Sequence, residues 1–503
     1  MDYNKYAFSQ ERLTKREKLI ANGIDPFGSK GFRTHYIADL FNKSKAGECI
    51  NILGRIKKIS DYDSRIAVIV EDVTGSILIE FDINRPEKEV IILQNIDTGD
   101  FINCSGVIAT TDLSVSVIGT SIEVITKTLC ELPSEEELKA DKIRQRKERY
   151  VDLAVRKDAV DILKTRINLI RNIRDYLNSE GMYEVETPML RSHYDLVCDK
   201  QFEFEKADGG QLYLRLCHED RLKQLIAGGF EKVYELGKSF RPSDGSWKHI
   251  TEFLQLETIQ AYTDYWDMMM HAEDMYKVVT ERTIGKTSFI GRSGDEIDLA
   301  NTWTRISVRD AIYRSSGIDI FDYNESNIES FKEKIIHVLM DRKTNNAVDT
   351  EKEKNDYLPP TPFCNWFWKL VDHCIDSFVA PDLKQPTILY DYPVDSNWLC
   401  KRKKDKPDYI ERFEAYIDGI EIANCYTLVN DVLDFIGRLE GQRSWYFAAF
   451  GKEDYPLDRT LINAKAYGLP PMSESSFGIE RWLMMICEQE SIQDVIWMPY
   501  PYV

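Results

Sequence analysis

Between residues 49 and 130, apolar and polar positions alternate with a period of two. The runs CINILGRIKKIS, IAVIVED, SILIEFD, DFINCSGVIAT, LSVSVIG and SIEVITK are short and rich in β-branched residues. Gly54, Thr74-Gly75, Gly99-Asp100 and Gly106 lie between or within them. Five or six strands in so short a stretch predict a small barrel, with an OB-fold as first choice. The flanking pattern is helical. SQERLTKREKLIANGI (9–24) reads as a charged amphipathic helix stopped by Gly23 and Asp25-Pro26. ELPSEEELKADKIRQRKER (131–149) reads as a charged, helical connector.

From residue 156 the pattern changes. Helical periodicity over 158–180, 219–228, 265–284 and 324–343 alternates with strand runs KVYEL, FLQLETIQAY, TILYDYP, FEAYIDGIEI and FGIERW. Without regular βαβ alternation, this favours an α+β domain with a mostly antiparallel sheet. The polar stretch 342–360 reads as an insertion. The expected organisation is a helical extension (1–48), an OB-fold domain (49–130), a linker (131–155) and an α+β domain (156–503).

Composition narrows the function. The chain has 503 residues, a net charge of −19 and 43% apolar residues, ordinary for a globular protein. The first 150 residues are close to charge balance, so nearly all of the excess acid lies beyond them. No global basic footprint for nucleic acid exists, although a local groove remains open. No apolar run reaches a membrane span and no secretory signal is read at the N-terminus, so the expected location is the cytoplasm, with no membrane partner. Ten cysteines make no C-x-x-C pair and seven histidines no H-x-x-x-H pair. A zinc cluster or disulfide framework is not expected.

Three segments carry candidate chemistry. In FRPSDGSWKHITEF (240–253) a hairpin can place Arg241 and His249 on one side of a groove, with Phe253 below them. Arg matches phosphate oxygens, and an aromatic ring can stack a purine. In RFEAYIDGIEIAN (412–424), Glu414 and Glu421 are seven residues apart and converge only if the chain turns at Asp418-Gly419. Two carboxylates beside a polyphosphate suit Mg2+. In SFGIERW (476–482), Gly478 permits close approach and Arg481 starts a helical run. Taken singly, each segment has a bland reading: a structural Arg–carboxylate pair, a solvated hairpin, a chance G-x-x-R. No glycine-rich phosphate loop is present.

Together and in this order, the segments resemble motifs 2 and 3 of class II aminoacyl-tRNA synthetases. YLNSEGMYEVETPML (176–190) resembles motif 1. The resemblance narrows to the lysyl-tRNA synthetase family through QERLTKREKLIANGIDPFG, RQRKERYVDL, LYLRLCHEDRLKQLIAGGFEKVYELGKSFR, EIANCYTLVND and YGLPP. It implies an ATP- and Mg2+-dependent ligase that forms an aminoacyl adenylate, and a homodimer paired through motif 1. Arg241 and Arg481 then act as the catalytic arginines on the phosphates. His249 and Phe253 contact ATP, and Glu414 and Glu421 hold the metal. Glu219, Glu257, Ile259, Asn424, Tyr426, Leu428, Glu474, Ser476 and Gly478 line the amino-acid pocket.

The departures from the family pattern are specific. Ser243, with Asp244 beside it, replaces the glutamate of F-R-x-E. S-E-S-S-F-G-I-E-R replaces a glycine-rich motif 3, and R-S-H-Y-D-L-V-C-D-K a glycine-rich loop. Leu428 and Ile259 stand where the family places the Glu and Tyr that sense the lysine ammonium. Glu474 or Asp195 can restore a carboxylate from another side. Ala67, Ser60 and Glu71 stand at the anticodon-reading positions, without the aromatic base-stacking residue. These departures lead to the expectation that the activated amino acid is not free lysine and that the acceptor is non-standard: a small molecule, peptide, protein or atypical tRNA. A divergent lysine–tRNA ligase and a non-catalytic binding module remain as alternatives.

Overall fold

The computed structural model describes residues 8–42, 45–111, 114–193, 201–243, 245–342, 358, 366–450 and 459–499. The candidate residues Asp195 and Asp244, and most of the polar insertion, lie outside them. The chain forms two compact units, Met1–Gln145 with Tyr150–Val155, and Arg146–Arg149 with Arg156–Val503.

The first unit contains a closed barrel. Its strands are β1 (Cys49–Tyr62), β2 (Arg65–Glu71), β3 (Ser76–Asp82), β4 (Phe101–Thr111) and β5 (Ser114–Thr126), in the order β1-β2-β3-β5-β4. Alternate residues Ile50, Ile52 and Ile56 point into a core with Val68, Val70, Ile79 and Phe81. Helix α1 (Gln10–Ala21) precedes the barrel, and α2 (Glu87–Asn95) lies between β3 and β4. The second helix escapes a strand-period reading because the apolar stretch VIILQNI is too short to distinguish the two periods. The runs LSVSVIG and SIEVITK, expected as two strands, contribute to one strand, β5, with a register shift against β4. Gly106 sits at that shift, where a Cβ would meet the Ile118 carbonyl at 2.7 Å. The β1 and β2 residues Ser60 and Ala67 are direct partners; Ala67 is buried and Glu71 is ion-paired to Lys57, so no aromatic platform exists at these positions.

The second unit is built on an eight-stranded sheet. After the edge strand β6 (Tyr183–Glu184) its members are β7 (Lys232–Phe240), β8 (Glu252–Ala261), β9 (Thr304–Ser307), β10 (Thr387–Pro393), β11 (Tyr409–Ile417), β12 (Ile420–Thr427) and β13 (Met472–Gly478). Their spatial order is β9-β10-β11-β12-β13-β8-β7-β6. Only the two outermost pairings are parallel. One face packs on α3 (Lys157–Ser179) and, later in the chain, α5 (Tyr265–Ile284), through residues such as Leu169, Ile173, Tyr276, Phe477 and Trp482. The other face carries α4 (Glu219–Ala227) and an apolar cluster at one end only, leaving the rest for polar side chains.

The strand reading of FGIERW is corrected. The strand ends at Gly478, and α6 (Ile479–Ile486) starts immediately after it. The segment IERWLMMI is apolar nearly all round and almost wholly buried, which suits a core helix. The helix expected at 324–343 starts at Ile328, after a short 3-10 turn capped by Asn324.

Two buried ion pairs fix the geometry of the sheet. Arg166 on α3 donates to Glu480 (2.8 Å), whose other oxygen accepts from the Leu254 backbone N–H (2.9 Å). Arg215 donates to Glu235 (2.6 Å), to the Lys238 carbonyl (2.7 Å) and to Thr187 (3.1 Å), holding β7 against the motif 1-like segment. Replacing Arg215 by Met strands Glu235, which is 4% exposed. We expect a stability loss of about 3–5 kcal/mol, read as a lowered urea midpoint of this unit.

Candidate active site

The sheet register assembles the site. Glu257, Ser476, Asn424 and Glu414 are direct partners across β8, β13, β12 and β11, so they form one row on one face. Two residues further along the strands, Ile259, Glu474, Tyr426 and Arg412 form the next row on that face. In the opposite direction, the face continues through Gln255 and Gly478 to Phe253. Successive rows are about 7 Å apart. The polar face is thus a short track running from the end of the β7–β8 hairpin into the interior.

The outer end of the track is an arginine-and-aromatic clamp. Arg241 follows β7, is exposed, and lies over the Phe253 ring at 5.3 Å. Arg481, on α6, donates to the Glu421 carbonyl (2.7 Å) and carboxylate (3.3 Å). His249 bonds Ser246 through Nδ1 (2.8 Å). Burial, aided by Arg481 and Lys248, lowers its pKa to about 4, so it is a neutral ring near neutral pH. Ser243 accepts from the Gly245 N–H (3.1 Å), which closes the turn.

The acidic pair meets through a turn and a bulge. Asp418 (φ 50°) and Gly419 (φ 73°) form the two-residue turn expected of an Asp-Gly hairpin. The register slips once between Ala415 and Tyr416, which gives β12 an extra residue. That slip puts Glu421 and Asn424, only three apart, on the same face. Glu414 is nearly enclosed. It accepts from the Tyr392 and Tyr416 hydroxyls (2.7 Å each) and from Arg412. Burial, then the charge of Glu421, raises its pKa against the pull of Arg412. Glu421 is more open, with 38% of its side chain exposed. No cluster of three metal-ligating side chains occurs among the described residues. Two acids fit a divalent cation only where phosphate or water oxygens complete the shell.

The inner end is closed by a residue that the sequence analysis did not select. Lys223, on α4, has no exposed side-chain surface. Its ammonium donates to Glu219 Oε2 (3.1 Å) and to the Tyr426 hydroxyl (3.1 Å), and pairs with Glu474 Oε2 (3.1 Å). The Tyr426 hydroxyl in turn reaches Glu219 (2.5 Å) and Glu474 (2.8 Å). One phenolic proton cannot serve both acids, and the two carboxyls also hydrogen-bond to each other. Burial resists charge on both. Lys223 overcomes it at Glu219, which is held well below the usual carboxylate range, whereas burial and Glu219 push Glu474 well above it. The cluster therefore holds one shared proton and no net charge. Glu257, 1% exposed, is also pushed well upward by burial and by Glu219. Glu257 accepts from Gln255 (2.7 Å) and is met by the Ser476 hydroxyl, which opposes the upward shift; its Oε2 is buried and makes no close hydrogen bond among the described residues.

Most of the predicted site residues thus share one face. Ile259 and Leu428 lie on it too, but fully buried in the apolar cluster. Lys223, Arg412, Tyr392 and Tyr416 were missed. The available signal was local: Lys223 stands between Leu222 and Ile226 on the buried side of α4, four residues after Glu219. A separate cleft of about 820 Å3, with Arg292 3.5 Å over the Trp247 ring, meets this site at the 245–247 turn and at Asp418 and Ile420 of the β11–β12 turn.

A mostly antiparallel sheet with an arginine clamp at one end of a polar track is the architecture of class II synthetases. Residues 141–501 match the family described as tRNA synthetases class II (D, K and N), and the chain belongs to that family. Within it the chain is similar to lysine–tRNA ligases. It is 34% identical to that of Roseiflexus castenholzii over 98% of both chains. It is 35% identical to that of Pelotomaculum thermopropionicum, over 96% of this chain and 93% of the relative. It is 31% identical to that of Methanospirillum hungatei, over 98% and 95%. It is a divergent, lysyl-tRNA-synthetase-like, ATP-dependent ligase. Among the described residues, no helix is long and apolar enough to cross a membrane.

His218, next to the inner cluster, is fully buried, and its pKa is lowered to about 3 by burial and by Arg215. The unfolded chain takes up this proton near pH 6.5 and the folded chain does not. Stability is therefore complete above about pH 6.5 and falls as pH drops towards 3, by roughly 1.4 kcal/mol per unit from this group. His218→Gln should flatten that acid slope in denaturant titrations run at several pH values.

Proposed function

We propose that the chain activates an amino acid other than free lysine as an aminoacyl adenylate and passes it to a non-standard acceptor. ATP is taken between Phe253, as the adenine platform, and Arg241 and Arg481, on its phosphates. Neutral His249 contributes a hydrogen bond rather than a second charge. Glu414 and Glu421 would hold Mg2+, which supplies charge neutralisation on the phosphates. Because Glu414 is already engaged by Arg412 and two tyrosines, Glu421 is the more accessible ligand.

The substrate ammonium is received by Oε2 of Glu257. Its carboxylate then lies towards the clamp end of the track, beside Ser476 and Asn424. From there it attacks the α-phosphorus in line, displacing pyrophosphate. The arginines stabilise charge on the pentacoordinate phosphorus, and no protein nucleophile is required. Motif 1 supports a homodimer: beside the short edge strand β6, Tyr183, Met189, Leu190 and Phe230 are exposed apolar groups.

The observation that carries this reading is an arranged nucleotide clamp beside a pocket with Leu428 and Ile259 buried in apolar contacts. A second reading is lysine–tRNA ligation. It is favoured by the names of the similar proteins and by their full-length similarity. ATP–pyrophosphate exchange scanned over amino acids separates the two. The first reading expects exchange with one acid other than lysine; robust lysine-dependent exchange with charging of lysine tRNA overturns it. Arg481→Ala should reduce ATP affinity at least about tenfold by calorimetry, as expected for loss of one charge-assisted contact. An unchanged affinity would remove ATP from this clamp.

A further inference from the structure

We infer that Lys223 is a resident cation which sets substrate choice: its ammonium occupies the inner subsite of the amino-acid track and restricts the pocket to amino acids whose side chain ends without a charge. This rests on the amino-acid-activating reading above and adds the substrate class and the residue that selects it.

The argument is one of position and charge. Glu257 Oε2, which makes no close hydrogen bond among the described residues, lies one row, about 7 Å, from the Glu474–Tyr426 row. That is roughly the reach of a four-carbon side chain whose α-ammonium sits at Glu257. The terminus of such a chain arrives at Glu219, Glu474 and Tyr426, where the Lys223 ammonium already lies 3.1 Å from each. The acceptors there already face a cation. Glu219 Oε2 serves Lys223 and Tyr426, its other oxygen receives the Cys217 thiol (3.4 Å), and Glu474 meets the Tyr426 hydroxyl with one oxygen while the other, without a hydrogen bond, lies in ion-pair contact with Lys223 at 3.1 Å.

The surrounding charges give a second cation nothing to pair with. On α4, Asp220 is matched by Arg191 (3.1 Å). From the helix that packs against α4, Lys465 brings another amine, donating to the Val429 carbonyl (2.6 Å). Burial, and then Lys223, lowers the pKa of Lys465 to about 7. A substrate with a single ammonium can be accommodated by loss of one proton from Glu257. A substrate with two needs Glu474 to lose its proton as well, with two ammonium groups crowded on the same oxygens. Such like-charge crowding in a buried site is costly, and the expected discrimination is roughly 100-fold.

The test is direct binding to the full chain, which needs no catalysis. Equilibrium dialysis compares L-norleucine with L-lysine, which share a four-carbon side chain and differ by the terminal ammonium. Wild type should bind norleucine roughly 100-fold more tightly. Lysine binding as tight as norleucine or tighter overturns the inference, even if pyrophosphate exchange proceeds. Conversely, binding selective for norleucine without any exchange upholds the inference about the pocket and removes the activating reading. In Lys223→Ala the vacated subsite should gain lysine affinity by at least tenfold, and millimolar ethylammonium should raise its thermal midpoint and compete with lysine. A folded variant with no gain in lysine affinity contradicts the inference. If that variant does not fold, the wild-type comparison still decides.

Discussion

A single buried ammonium, that of Lys223, organises the inner half of this active-site face. Three carboxyl groups, Glu219, Glu257 and Glu474, are brought together by the strand register and by the first turn of α4. Without a cation they could not share a dry interior. With one, Glu219 stays ionised, Glu474 keeps its proton and Tyr426 bridges them. The polar track can then run into the apolar cluster that contains Ile259 and Leu428 without an uncompensated charge. The outer half obeys a different constraint. There Arg241 is exposed and Arg481 partly so, as suits groups that meet an anionic ligand.

The two halves were not equally legible in the sequence. The clamp could be read because its residues sit in a short hairpin and at a helix start, where local rules apply. The Asp418-Gly419 turn was similarly local. The rows across the sheet depend on register between strands far apart in the chain, and Lys223 meets Glu474 and Tyr426 from 251 and 203 residues away. Pattern reading offered only a lysine on an apolar helix face. The bulge that aligns Glu421 with Asn424 leaves no mark in the sequence pattern. The strand reading of FGIERW failed because a short apolar run carries too few periods to separate strand from helix. The barrel, by contrast, announced itself through repeated alternation.

Full-length similarity to lysine–tRNA ligases and the proposed change of the inner pocket are statements at different scales. Similarity over nearly the entire chain fixes the sheet, the barrel and the family. In the proposed reading, selectivity among amino acids rests on a handful of side chains: Leu428, Ile259, Glu474 and the Lys223 ammonium paired with Glu474. A family fold can keep its nucleotide chemistry while the charge at the far end of the track changes.

The most direct measurement is a crystal structure of the protein grown with ATP and a saturating concentration of L-lysine. The account predicts that the Lys223 nitrogen remains bound to Glu219, Glu474 and Tyr426, with no second nitrogen beside it. A structure in which Lys223 has swung away, and the terminal nitrogen of the added lysine is held by those acids instead, would contradict it.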